Sequence, residues 1–213
     1  MQVSSLLHIN FSFKKKYYQN GFTLMELLIS MAIISIITGI VLVKYNSFDS
    51  TVLLKNQAYE IALLLRESQI KSVSVVRNDA DTFSYPYGAS FAPASSMYQS
   101  FLYKDSLQYP HFDTGPTEIT GSFDMGKKMQ VEDVCVTDDL SSGVEDCTIT
   151  QLDISFRRPE FSALFWAEGY RSGSEADMKN ILSARIHLAS TNGGSNKFVV
   201  EISRLGQISV YNE

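Results

Sequence analysis

Apolar positions follow three regimes along the chain. From Phe22 to Val43 they are almost unbroken, 22 residues in which Glu26 is the only charge and Ser30, Ala32, Ser35, Thr38 and Gly39 are the small or polar interruptions. At 1.5 Å per residue, a helix of that length crosses a hydrocarbon core of roughly 30 Å. From Ser47 to Val76 there is no proline or glycine, and apolar or small residues recur every three or four positions at Leu54, Ala58, Ile61, Leu65, Gln69, Val73 and Val76. Lys55, Gln57, Glu60, Arg66, Glu67 and Lys71 lie mostly off that stripe, so the segment predicts a helix with one buried face. A continuous helix from Phe22 to Val76 would be about 80 Å long; two helices hinged near Asn46–Ser50 fit the same pattern. Asn78-Asp79-Ala80-Asp81 closes it with poor helix formers.

After residue 77 the pattern shortens to β-like runs separated by turn residues. Ser90-Phe91 and Tyr98–Tyr103 flank a Pro93-Ala94-Ser95-Ser96 turn, and further strands are predicted at Lys128–Val136, Cys147–Phe156, Ser183–Ala189, Lys197–Ser203 and Gln207–Tyr211. Asn192-Gly193-Gly194 and Leu205-Gly206 read as hairpin turns. The expected fold class is α+β: a lollipop whose long N-terminal helix spans a membrane with its first half (22–43) and packs with its second (44–76) on an antiparallel sheet in the head, 77–213.

Charge sharpens the reading at the start of the apolar run. Lys14, Lys15 and Lys16 precede it and Lys44 follows, so the positive-inside rule places the N-terminus in the cytoplasm and the remainder outside. A secretory signal would have a shorter apolar core and a small-residue cleavage site after it, which Val43-Lys44-Tyr45-Asn46 does not supply. A charged side chain at bilayer depth costs roughly 2.5–3.5 kcal/mol on insertion scales. Glu26 therefore needs a role, and a plain single-pass anchor leaves it and the Gly21-Phe22 junction unexplained.

The stretch Lys14-Lys15-Lys16-Tyr17-Tyr18-Gln19-Asn20-Gly21-Phe22-Thr23-Leu24-Met25-Glu26, with the apolar run behind it, resembles the processing site of type IV prepilins and pseudopilins. The resemblance implies a leader, 1–21, cut after Gly21 by a prepilin peptidase on the cytoplasmic side, with Phe22 as the new, methylated N-terminus. It implies that Glu26 matches the glutamate that pairs with the ammonium of a neighbouring subunit, as a carboxylate in a dry filament core requires, and that this pairing sets register. Other pilins, the peptidase and an inner-membrane assembly platform are the implied partners. The proline of major type IVa pilins is missing from this helix, and Gly39 is its weak point. Ala58–Ser68, Tyr87–Phe91 and Phe198–Val210 are most similar to GspH/FimT-like minor pseudopilins, although the usual Gly-Arg order is altered at Ser203-Arg204-Leu205-Gly206.

Composition separates the rival functions. The whole chain carries −5, and loss of the leader with its three lysines would make it −8. The excess is confined to Arg77–Thr150, with twelve acids against four bases. That argues against a general phosphate-binding surface. A DNA-uptake pilin remains the alternative if Arg157, Arg158, Arg171, Lys179, Arg185, Lys197 and Arg204 gather on one face against the seven acids of the same segment.

Cys135 and Cys147 lie on the exported side, where a disulfide persists, and the alternative is a reduced pair. Two cysteines without nearby histidine do not fill a zinc site. Glu132, Asp133, Asp138, Asp139, Glu145 and Asp146 form an oxygen-rich stretch, 132–146, that suggests calcium, but with no EF-hand spacing. His8 falls in the leader, His111 in a turn, and His187 on a strand between Ile186 and Leu188, a structural position. No nucleophile elbow, phosphate loop or H-E-x-x-H is present, so the chain is expected to be a peptidase substrate and no enzyme. The cluster Phe161–Trp166 reads as core, or as a contact surface.

Overall fold

The computed structural model describes residues 21–74, 85–104, 110–113, 116–139, 143–157, 159, 161–191 and 196–213. The chain divides into two compact units, Met1–Lys44 and Tyr45–Glu213.

The first unit holds the beginning of helix α1 (Leu24–Val73). Thr23 caps it: its Oγ1 accepts the Glu26 N–H at 3.3 Å, and its carbonyl accepts from Leu27 N at 3.1 Å. Thr23 and Glu26 stand at capping-box spacing, with the carboxylate in the first turn where the helix dipole favours negative charge. Ser30 and Ser35 donate their hydroxyls back to the carbonyls of Glu26 (2.7 Å) and Met31 (2.9 Å). These polar groups are thereby satisfied within the helix, which makes them tolerable in lipid. Every residue from Leu24 to Leu42 is exposed, a 19-residue stretch long and apolar enough to cross a membrane.

In the second unit, the remainder of α1 packs on two antiparallel sheets. The strands are β1 (Tyr87–Phe91), β2 (Met97–Tyr103), β3 (Thr117–Asp124), β4 (Met129–Asp138), β5 (Glu145–Asp146), β6 (Gln151–Phe156), β7 (Ala163–Glu168), β8 (Ile181–Ser190), β9 (Phe198–Ser203) and β10 (Ile208–Asn212), with a short helix α2 (Glu175–Met178) between β7 and β8. Sheet one runs β3-β2-β1-β6-β7, and sheet two runs β10-β9-β8-β4-β5. Leu54, Ala58, Ile61 and Leu65 of the helix share one core with Phe91, Leu152, Ile154 and Phe165 of sheet one and Val131, Val134, Ile186 and Val200 of sheet two. The helical stripe is thus the predicted one: Leu54, Ala58, Ile61, Leu65 and Gln69 are buried and Val73 half-buried, while Val76, the 78–81 helix end and the Asn192–Gly194 turn lie outside the described residues.

Two sheets replace the single one expected. The extra strands explain why. β3 reads Thr-Glu-Ile-Thr-Gly-Ser-Phe-Asp and is exposed along most of its length as an edge strand, so it carries no alternating burial to betray it. β7 begins within the Phe161–Trp166 cluster and runs on to Glu168, and so short an apolar run does not decide its type by periodicity. The strand expected from Cys147 begins only at Gln151, because Cys147 itself follows the two-residue β5. The Leu205-Gly206 turn joins β9 to β10 as read from the sequence, with Gly206 at φ 81°.

Candidate functional site

The residues that the processing motif singles out lie at the start of α1. Gly21 and Phe22 precede the Thr23 cap outside the helix, and both are exposed, Phe22 at 79%. Glu26 is exposed four positions further on. Its backbone N–H is held by Thr23, and no ion pair of its side chain occurs among the described residues. Thr23 was not singled out by the charge argument; the Thr-x-x-Glu spacing is the signal that finds it. Neutralisation of Glu26 by another chain is compatible with this arrangement.

The two cysteines form a disulfide, Cys135 on β4 to Cys147 just past β5. Glu145 lies close to both sulfurs, but the sulfurs are bonded to each other and offer no thiolate to a metal. The acids around them part company. Glu132 pairs with Lys197 at 2.7 Å, and Glu145 faces Arg185 at 3.3 Å and His187 at 3.4 Å. Asp146 accepts from the backbone and hydroxyl of Thr148 at 2.9 and 2.8 Å. Asp138 is buried, accepting from the Tyr170 hydroxyl and pairing with Arg171. Burial and the Asp138 carboxylate together push the Tyr170 hydroxyl up to about 12. Among the described residues, the 132–146 oxygens do not converge on one point, as a calcium cage would need.

Four of the seven C-terminal cations are likewise committed. Arg171 pairs with Asp138, Arg185 bridges Glu145 and Glu201, Lys197 meets Glu132, and Arg204 donates to the carbonyls of Lys179 and Ile181. His187, read as structural, bridges Glu145 and Glu213 across the outer face of sheet two. Arg158 lies outside the described residues. A phosphate-binding face would have to break these pairs.

Two further residues take their roles from tertiary partners. Gln69, placed in the buried stripe, is the fastening between helix and turns: its Nε2 donates to the carbonyls of Phe161 (2.8 Å) and Gly206 (3.2 Å), and its Oε1 accepts from Arg66 at 2.6 Å. Asp153 is fully buried on β6, where its carboxylate accepts from Phe112 N at 2.7 Å and Gln151 Nε2 at 3.1 Å. Loss of solvent pushes its carboxyl from 3.8 up to about 6 despite those donors and Ser90, with Asp113 adding to the rise. His111 stacks on Trp166 with ring centroids 4.5 Å apart, so the tryptophan's own partner is the turn histidine.

Residues 16–42 match the family model of the prokaryotic N-terminal methylation motif, the segment that type IV pilins and pseudopilins share. No curated protein and no solved structure matches the chain. An apolar N-terminal helix, followed by a helix packed on antiparallel sheets, and this motif define a pilin-like α+β protein. Proteins of that class are structural subunits and not enzymes.

Proposed function

We propose that the chain is a structural subunit, a minor pilin or pseudopilin of a type II secretion or type IV pilus filament, of the GspH/FimT-like kind. The observation that carries this reading is the coincidence, within residues 16–42, of the methylation motif with a fully exposed apolar helix bearing one carboxylate in its first turn. An apolar surface from Leu24 to Leu42 with nothing packed on it must be covered, first by lipid and then by the same helices of neighbouring subunits. Cleavage after Gly21 exposes the Phe22 amine, which is methylated and lies one helical turn from Glu26. In a filament core, that carboxylate pairs with the ammonium of an adjacent subunit, since a buried charge without a partner is strongly destabilising. The head stays outside the cytoplasm, where its disulfide persists.

Coexpression with a prepilin peptidase tests the reading. The chain should shorten by the mass of residues 1–21, and Gly21→Ala should abolish the change. A chain left at full mass by an active peptidase would show instead an ordinary anchored protein.

A further inference from the structure

The outer face of sheet one carries a cleft that the filament role does not use. It has a volume of about 230 Å³ and is lined by His111, Asp113, Gln151, Trp166, Glu168 and Gly173, among others. One wall is the stacked pair of His111 and Trp166, nearly parallel at 11°. The rim carries two exposed carboxylates, Asp113 and Glu168. Gln151 directs one Nε2 N–H to Asp153 and keeps its carbonyl oxygen and a second N–H to offer. The Gly173 N–H is likewise spent, on the Tyr170 carbonyl at 2.9 Å. Burial lowers the His111 imidazole below its usual range, so the ring is neutral at pH 7 and adds no positive charge. The lining therefore combines π surface with two carboxylates and no cationic side chain.

The turn that forms the far wall is held in an unusual backbone. Gly169, Arg171 and Gly173 all have positive φ, at 85°, 48° and 69°. Arg171, the non-glycine member, is kept there by its pair with the buried Asp138. A Cβ at Gly173 would meet no atom within 4 Å, so the absence of a side chain there leaves open space at the cleft.

We infer that this cleft is a binding site for a planar, donor-rich cation, the guanidinium of an arginine side chain presented by another protein. An anion is repelled by Asp113 and Glu168, and a neutral ligand gains nothing from their charge. A guanidinium stacks on aromatic surface and donates to two carboxylates at once, which a lysine ammonium does less well. The cleft is open on one side, so a free small molecule would be poorly enclosed. An arginine on a protein surface brings further contacts with it. The inference holds whichever filament the subunit enters.

Trp166 is the sole tryptophan of the chain, so its fluorescence reports on this cleft directly. The full chain in detergent micelles would be titrated with acetyl-Gly-Arg-Gly-amide, with the lysine and citrulline counterparts, and with cellobiose. The arginine peptide should give a saturable change, weakened by raised salt and about tenfold by D113N or E168Q. The lysine peptide should bind more weakly, and citrulline and cellobiose not at all. Both carboxylates are exposed, and the unchanged melting temperature of each variant would check folding. Equal binding of citrulline, cellobiose or lysine peptide, affinity indifferent to salt and both variants, or no saturable change up to the peptide's solubility limit would each overturn the assignment.

Discussion

At the scale of single residues, three positions carry separable consequences. Gly206 sits at φ 81°, where an added Cβ would come within 2.1 Å of the Phe161 carbonyl oxygen and 2.5 Å of Gln69 Nε2. Gly206→Ala combines left-handed backbone strain with loss of the Gln69 fastening. It should destabilise the head by on the order of 2–4 kcal/mol in a denaturant titration. Asp153 makes stability depend on pH. Its folded-state carboxyl titrates at about 6 against 3.8 when unfolded, so the folded protein binds the proton more tightly. Stability from this group is full below pH 4, falls as pH rises from about 4 to about 6, and the loss is complete above that, amounting to about 3 kcal/mol. Asp153→Asn retains an oxygen for Phe112 and has no charge to bury. The stability gap between it and the native chain should widen in its favour across that window, and a constant gap would show that the carboxylate is not penalised. The role proposed for Glu26 lies in assembly and not in folding. Glu26→Val should insert into membranes as well as the native chain or better, yet be missing from sheared filaments; normal incorporation would show that the Phe22 amine needs no carboxylate.

At the scale of elements, the second half of α1 belongs to the head's core. Leu54, Ile61 and Leu65 are each at most 1% exposed, and each is worth about 1.5–3 kcal/mol when fully buried. A chain beginning at Phe48 should be soluble and monomeric, because it keeps this stripe and loses the exposed apolar run. One beginning at Asn78 should aggregate, because both sheets then lose their shared cover. Equal solubility and cooperativity of the two by thermal melting would remove the helix from the core. The β4–β5 hairpin is reinforced by the disulfide, which closes a loop of 12 residues' separation. Reduction should lower stability by about 3 kcal/mol in the chain-entropy account without unfolding the head at room temperature. The remaining links of β4, its pairing with β8 and its core valines, do not depend on the bridge.

For the molecule as a whole, the two units answer to different solvents. Residues from Leu24 to Leu42 expose apolar side chains throughout, whereas the head gathers its own around one core. The acid excess of residues 77–150 falls entirely in the head, and Arg171, Arg185, Lys197 and Arg204 are spent on carboxylates and carbonyls. Both facts favour protein contacts over nucleic acid for the exposed surface. The arginine-binding cleft extends the same logic, since it adds two rim carboxylates to an already acidic head.

The sequence by itself determined the parts whose physics is local or periodic. An apolar run of membrane length, a cap and acid at fixed spacing, and a stripe of three and four are each written in neighbouring residues, and α1 with its buried Leu54, Ala58, Ile61 and Leu65 follows from them. Only the tertiary structure decided how ten strands divide into two sheets, because pairing joins segments far apart in the chain and the edge strand β3 has no burial pattern of its own. It also decided the fate of the charges. Glu132, Asp138, Glu145 and Asp146 read as one acidic stretch, yet their partners come from Lys197 just before β9, the turn after β7, β8 and Thr148. Asp153, unremarkable in sequence, has its carboxyl pushed up to about 6 because β1, β7 and Phe112 close around it. The burial of a lone polar residue such as Asp153 depends on what folds over it, and no local pattern in the chain encodes it.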